Sequence, residues 1–195
     1  MHTSSGAHLV ELLSSFDDQP WHGFVVAESP ALVIIHRVSD RFDLDGYCAF
    51  PREAVKGTTR FFAKLDLLDR ALRLKNQLPV LPDRLDASSM RRLMESAQGT
   101  FGVLVVERES VNPGSVEVGT IRLNSDETYF LRWLDAKARW QNDDRPFRYR
   151  DVTRLEFGSE YEQTLLAVAT SRASDAPRNS ASQLGEDGDS IFYAN

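Results

Sequence analysis

His36, Asp40, Asp43 and Asp45, closed by Gly46, form the most suggestive cluster of chemistry-bearing side chains in the 195-residue chain. Carboxylates that close together can hold a hard cation through oxygen. The calcium-loop template tests the idea. With Gly46 at its glycine position and Asp43 and Asp45 at the two preceding acidic positions, its first ligand position falls on Arg41 and its last on Arg52. Cations stand where the essential acids belong, so calcium-loop chemistry is excluded. The aspartates are expected to accept local backbone hydrogen bonds in a hairpin loop. As an outward surface, Asp40, Asp43 and Asp45 are candidates for contact with a basic partner.

A second polar loop holds Asp135, Lys137, Arg139, Trp140, Asp143, Asp144 and Arg145. It repeats no ligand pattern of the first, which argues against a shared catalytic set. Trp133, Trp140 and Arg139 are candidates for partner binding, because Trp and Arg dominate interface hot spots; the competing reading puts one or both tryptophans in the core. Nucleophilic chemistry has little to stand on. Cys48, the single cysteine, lies in the apolar run Tyr47-Cys48-Ala49-Phe50, where an inert buried thiol is expected. One cysteine also excludes a disulfide framework and a Cys-based zinc finger. Neither a Gly-x-Ser-x-Gly elbow nor a nucleotide-binding glycine loop occurs, so no cofactor is implied. His36 is the one histidine embedded in a strand-like run, and a hydrolase would have to centre on it and Asp40.

Net charge is −6, from 23 basic and 29 acidic side chains, which disfavours non-specific binding to phosphate backbones. Residues 1–55, 56–100, 101–169 and 170–195 carry −5, +4, −3 and −2. The basic stretch includes Arg60, Lys64, Arg70, Arg73, Lys75, Arg91 and Arg92, which read as solvated helix faces; an RNA-binding strip is the alternative. No run reaches the roughly 18 apolar residues of a membrane span, and residues 1–8 lack the basic flank of a secretory signal, so a cytoplasmic protein is expected.

The elements that must position these groups alternate in period. Leu9, Val10, Leu12, Leu13 and Phe16 predict a short amphipathic helix within 1–19. Phe24–Ala27, Ala31–Val38, Tyr47–Phe50 and a short run at Ala54-Val55 predict strands. Phe61, Leu65, Leu68 and Leu72 form the single stripe of a packed helix. Pro79 and Pro82 introduce a connector (79–100) with a helix over Met90–Ala97, capped by Ser88 or Ser89 and ended by Gly99. Strands are predicted at Phe101–Val106, Val116–Leu123, Thr128–Leu134, Phe147–Tyr149 and Val152–Phe157. Ser159 and Glu162 make a capping box for a last helix. Residues 170–195, poor in apolar side chains until Ile191-Phe192-Tyr193, are expected to be a disordered acidic tail.

The two halves match. Gly23 aligns with Gly119, Ser29 with Ser125, Val33-Ile34-Ile35 with Tyr129-Phe130-Leu131, Val38 with Leu134 and, after a one-residue shift, Val55 with Val152. A duplicated strand-plus-helix unit follows, over 20–78 and 101–169. The stretch from Gly23 through Asp43-Leu44-Asp45-Gly46-Tyr47, with Tyr149-Arg150-Asp151-Val152-Thr153-Arg154, Phe157-Gly158 and Tyr161-Glu162, is similar to a bacterial family of uncharacterised small proteins, across roughly residues 20–169. That resemblance implies a fold type, small barrels like Sm domains, and no chemistry. The expectation is an α+β protein of two small antiparallel barrels or curled sheets, each followed by a helix. Its expected role is a non-enzymatic protein-interaction module or adaptor, including an inhibitor or immunity-type binder of a basic partner.

Overall fold

The computed structural model describes residues 8–60 and 63–175. The first half runs through β1 (Leu9–Ser14), β2 (Trp21–Glu28), β3 (Leu32–Val38), β4 (Leu44–Pro51), a single 3-10 turn at Arg52–Ala54, β5 (Val55–Thr59) and α1 (Ala63–Leu74). After α2 (Met90–Phe101) come β6 (Leu104–Glu107), β7 (Val116–Leu123), β8 (Thr128–Leu134), β9 (Trp140–Asn142) and β10 (Phe147–Arg148). A second 3-10 turn at Tyr149–Asp151 leads to β11 (Arg154–Phe157) and α3 (Glu160–Asp175).

The strands form one antiparallel sheet in the order β10-β8-β7-β6-β11-β4-β3-β2-β1-β5, with β9 also paired to β8. The expected pair of separate small barrels or curled sheets is therefore corrected to one continuous antiparallel sheet that closes no barrel. The reason lies in β4, which gives its outer edge to β11 (Ala49 opposite Leu155, Cys48 opposite Glu156, Tyr47 opposite Phe157) and so merges the halves.

Residues 9–14 are likewise a strand and not the expected helix. Their apolar positions satisfy a helical stripe and an alternation equally well. Pairing with both β2 and β5 decides for the strand, burying Val10 and Leu12 and leaving Leu13 and Phe16 exposed.

The main core lies on one face of the sheet. Leu32, Ile34 and Ala49 from the first half meet Leu104, Val106, Leu131, Leu155 and Phe157 from the second, under Leu93, Met94 and Ala97 of α2. That helix was expected as part of a connector; it is a central packing element. Ser89 caps it by accepting from the Arg92 N–H, and it ends at Gly102 (φ 87°), past the expected Gly99. On the opposite face Val10, Leu12, Val33, Ile35, Cys48 and Phe50 make a smaller core. Phe61, predicted to join the α1 stripe, lies outside the described residues; Leu65, Leu68 and Leu72 pack on Phe24 and Val38 as that stripe requires. The expected disordered tail begins inside α3, since residues 170–175 are helical; 176–195, with Ile191-Phe192-Tyr193, lie outside the described residues.

Local geometry recurs between the halves. The hydroxyls of Ser29 and Ser125 each accept two backbone N–H bonds in the turn between β2 and β3 or β7 and β8, from Ala31 and Leu32 and from Glu127 and Thr128. Phe42 (φ 60°) and Ala138 (φ 53°) take the left-handed position in the next loops, each donating its N–H to the residue that opens the loop, Ser39 or Asp135. Each 3-10 turn opens with an N–H bond back to the β-turn, Arg52 to Ala31 and Tyr149 to Glu127, and closes on a valine, Val55 or Val152. Gly23 and Gly119 sit so close to the carbonyl oxygens of His36 and Arg132 that a Cβ would stand 2.6 Å and 2.1 Å from them.

Candidate interaction face

The acidic loop is largely spent inside the fold. Asp43 pairs with Lys75 at 2.7 Å and accepts from Gln77, and those contacts hold its carboxyl below the usual carboxylate range. Asp45 pairs with Arg37 at 3.1 Å and accepts the Glu160 N–H at 2.8 Å, tying the first turn of α3 to β4. Asp40 alone of the three is exposed. Among the described residues no group of three or more His, Cys, Asp or Glu is placed to hold a metal ion.

His36 faces the main core side, stacked on Tyr47 with ring centroids 4.4 Å apart, its Nδ1 accepting from the Val80 N–H. Burial pushes its pKa down to about 4, against the opposing pull of Asp45. Cys48 is fully buried, with its thiol pKa raised chiefly by burial.

A charged network crosses the seam where the halves meet, on the sheet face that carries Cys48. Arg154 of β11 bridges Asp17, Glu107 and Glu156, and its guanidinium lies 4.4 Å over the Trp21 ring. Arg37 of β3 joins Glu156 at 3.0 Å to Asp45. Glu107 is 3% exposed, and burial raises its pKa to about 7 in spite of Arg154. Four carboxylates share two guanidiniums, and each named oxygen or nitrogen points to another member. The network reads as a bolt between the halves.

The open surface is elsewhere. In β7 and β8, Ile121, Tyr129 and Leu131 face the main core. Their neighbours Thr120, Arg122, Phe130 and Arg132 therefore face the other way, with Arg122 opposite Phe130 and Arg132 opposite Thr120. β9 and β10 extend that face through Asn142, opposite Arg132, and Arg148, opposite Thr128. α3 covers only one end of it, where Leu165 and Ala169 pack with Leu134, Ala138 and Trp140.

The Arg122 guanidinium lies 4.3 Å over the Phe130 ring, and that of Arg132 lies 4.6 Å over Trp140 at the margin of the end that α3 covers. Arg122, Arg132 and Arg148 are exposed and, among the described residues, form no ion pair. The neighbouring arginines differ: Arg108 binds Glu117, Arg139 binds Asp135 and Arg145 binds Asp143. No family model, curated protein or solved structure matches the chain. The reading of this face thus rests on its own chemistry.

Of the residues singled out from sequence, Trp140 belongs to this face. Trp133 packs against the main core, and Arg139 is held by Asp135. Arg122, Phe130, Arg132 and Arg148 were missed. The signal available was alternation: Arg122 and Arg132 each follow a core residue, Ile121 or Leu131, so their strand positions point away from the core. Among the described residues no helix is long and apolar enough to cross a membrane.

Proposed function

We propose that this protein acts by binding and not by catalysis, as a protein-interaction module of two copies of one strand-plus-helix unit. The second copy supplies the contact face. The recurring turns, left-handed loop positions, 3-10 turns and crowded glycines support the two-copy reading.

Position for position, Ile34 in the first unit corresponds to Phe130 in the second, and His36 to Arg132. Ile34 is sealed in the main core, and His36 stacks on Tyr47. On the second unit the same positions are turned outward, half-buried or exposed, and arginines stand beside the ring. The observation that carries the proposal is this pair of unpaired arginines stacked on Phe130 and Trp140. Holding cations over aromatics and away from carboxylates preserves their charge for a partner. In a chain of net charge −6, this face opposes the sign of the whole.

A photo-crosslinking residue at Asn142, on this face, is compared in the native cell with one at Asp66 on the exposed side of α1. Adducts with a partner form from position 142 and not from position 66. Equal adducts at both positions, or none at 142, refute the assignment.

A further inference from the structure

We propose that the partner presents an extended acidic segment whose carboxylates stand two residues apart, one received by Arg122 and the other by Arg132. The proposal rests on the reading of the face as a binding surface and adds the chemistry of what binds there.

A guanidinium held over a ring and outside any ion pair keeps N–H groups for a planar acceptor, and a carboxylate matches them in bidentate fashion. Both arginines are in this state. Because Arg132 is opposite Thr120, Arg122 stands at the diagonal position two residues further along β7. Diagonal neighbours of an antiparallel pair lie roughly 7–8 Å apart. Side chains on the same side of an extended chain repeat every two residues, about 6.6–6.8 Å. An acid-x-acid segment laid along this face therefore repeats at about the spacing of the two strand positions from which the arginines reach, with Phe130 as the apolar floor between β7 and β8.

The same geometry favours a short acidic segment over a nucleic acid. A long polyanion would lie over its whole length within the field of a chain carrying −6. A short segment touches the guanidiniums alone.

The test uses the full chain and fluorescence anisotropy at low salt. Four labelled probes are compared: a heptapeptide of alternating Thr and Glu, its Gln counterpart, a peptide with the same Glu residues made contiguous, and an oligouridine. The alternating Glu peptide is expected to bind about tenfold or more tighter than the Gln peptide, and to lose that advantage in 0.5 M salt. It should also outbind the contiguous peptide. Arg122→Gln and Arg132→Gln should each weaken it about tenfold, while Arg70→Gln on α1, an equal change of charge, leaves it unchanged. Arg122→Lys and Arg132→Lys keep the charge without the fork and should restore only part of the affinity.

Equal binding of Glu and Gln peptides, an equal loss in Arg70→Gln, or tighter binding of oligouridine overturns the proposal. Any of these alongside a position-142 adduct would leave the face standing as an interface and remove only the acidic-segment assignment.

Discussion

Replacing Arg154 by methionine is the sharpest probe of how the two halves are held together. The substitution keeps an unbranched stem of similar reach and removes the one group that touches Asp17, Glu107 and Glu156 together. Its side chain is 13% exposed, and those of the three carboxylates 17%, 4% and 13%, so solvent cannot replace it freely. Arg37 still reaches Glu156, but nothing takes its place at Glu107. Breaking a buried ion pair from one side costs about 3–5 kcal/mol, and losing the guanidinium over Trp21 adds about 0.5–2 kcal/mol. Against a total stability of about 5–15 kcal/mol this is a large fraction.

The loss has a defined pH dependence. Glu107 already titrates near 7 in the folded protein, above the ordinary carboxylate range, so the folded state binds protons that the unfolded state releases. Without Arg154 its pKa rises further. Relative to the parent, this part of the penalty is small below about 7, where Glu107 is protonated in both folded proteins, grows as pH rises through 7, and is complete only above the further raised folded value. Urea unfolding followed by tryptophan fluorescence at pH 5, 6.5 and 8 should show the largest deficit at pH 8 and a smaller one at pH 5. Glu107→Gln, which removes the costly charge and leaves Asp17 and Glu156 on Arg154, should be at least as stable as the parent at pH 8, by up to about 3 kcal/mol. An Arg154→Met deficit below about 1 kcal/mol at pH 8, or one equal at both ends of the range, would refute the network as the fastening of the seam.

Three further expectations follow from burial and close approach. His36, held neutral by burial with a pKa near 4, should show no NMR titration between pH 5 and 8. Since its folded value is lowered, its contribution is complete above about 6.5 and is lost as pH falls toward 4; a midpoint near 6.5 would contradict the packing on Tyr47. Gly119→Ala, which drives a Cβ against the Arg132 carbonyl, should cost more than about 2 kcal/mol in urea, and more than Gly23→Ala at its looser counterpart; equal small losses would count against the geometry. Cys48 should resist a thiol reagent in the native protein and react fully in denaturant; rapid native labelling would show the small core open.

Much of the fold was legible because local signals agreed with tertiary pairing. β7 and β8 end where their apolar alternation ends, at Val116–Leu123 and Thr128–Leu134, and Ser89 begins α2 as its side chain predicts. The capping box was half realised: the Glu162 carboxylate accepts the Ser159 N–H, but the Ser159 hydroxyl makes no bond within the described residues. The failures are those of long-range choice. β1 carries a pattern that fits either period, and its two strand neighbours lie about ten and forty-five residues downstream. β9 is three residues long and owes its existence to β8. The single sheet depends on one pairing, β4 with β11, between residues more than a hundred positions apart, and local propensity says nothing about it.

The contact face was hidden for a related reason, and its origin bears on what it does. Alternation tells that Arg122 and Arg132 oppose the core, but half of all strand residues do so; what matters is whether anything covers them. In the first half the corresponding residues are covered, because the sheet continues through β4 into the second half and α2 closes over Ile34. In the second half the described residues offer no third set of strands. Edge strand β10 is two residues long, follows Pro146, and carries Arg148 on the open face, all of which discourage another sheet from adding there. On the two-copy reading, the position of His36, stacked on Tyr47 in one half, holds an exposed arginine over Trp140 in the other. A surface with no function could be kept soluble by either charge, and elsewhere on this chain surface arginines stand in ion pairs with Asp or Glu, as Arg70 with Asp66, Arg139 with Asp135 and Arg145 with Asp143 do. Arginines that stack and stay unpaired are costly to order without a partner, and that cost is the physical reason to look for one here.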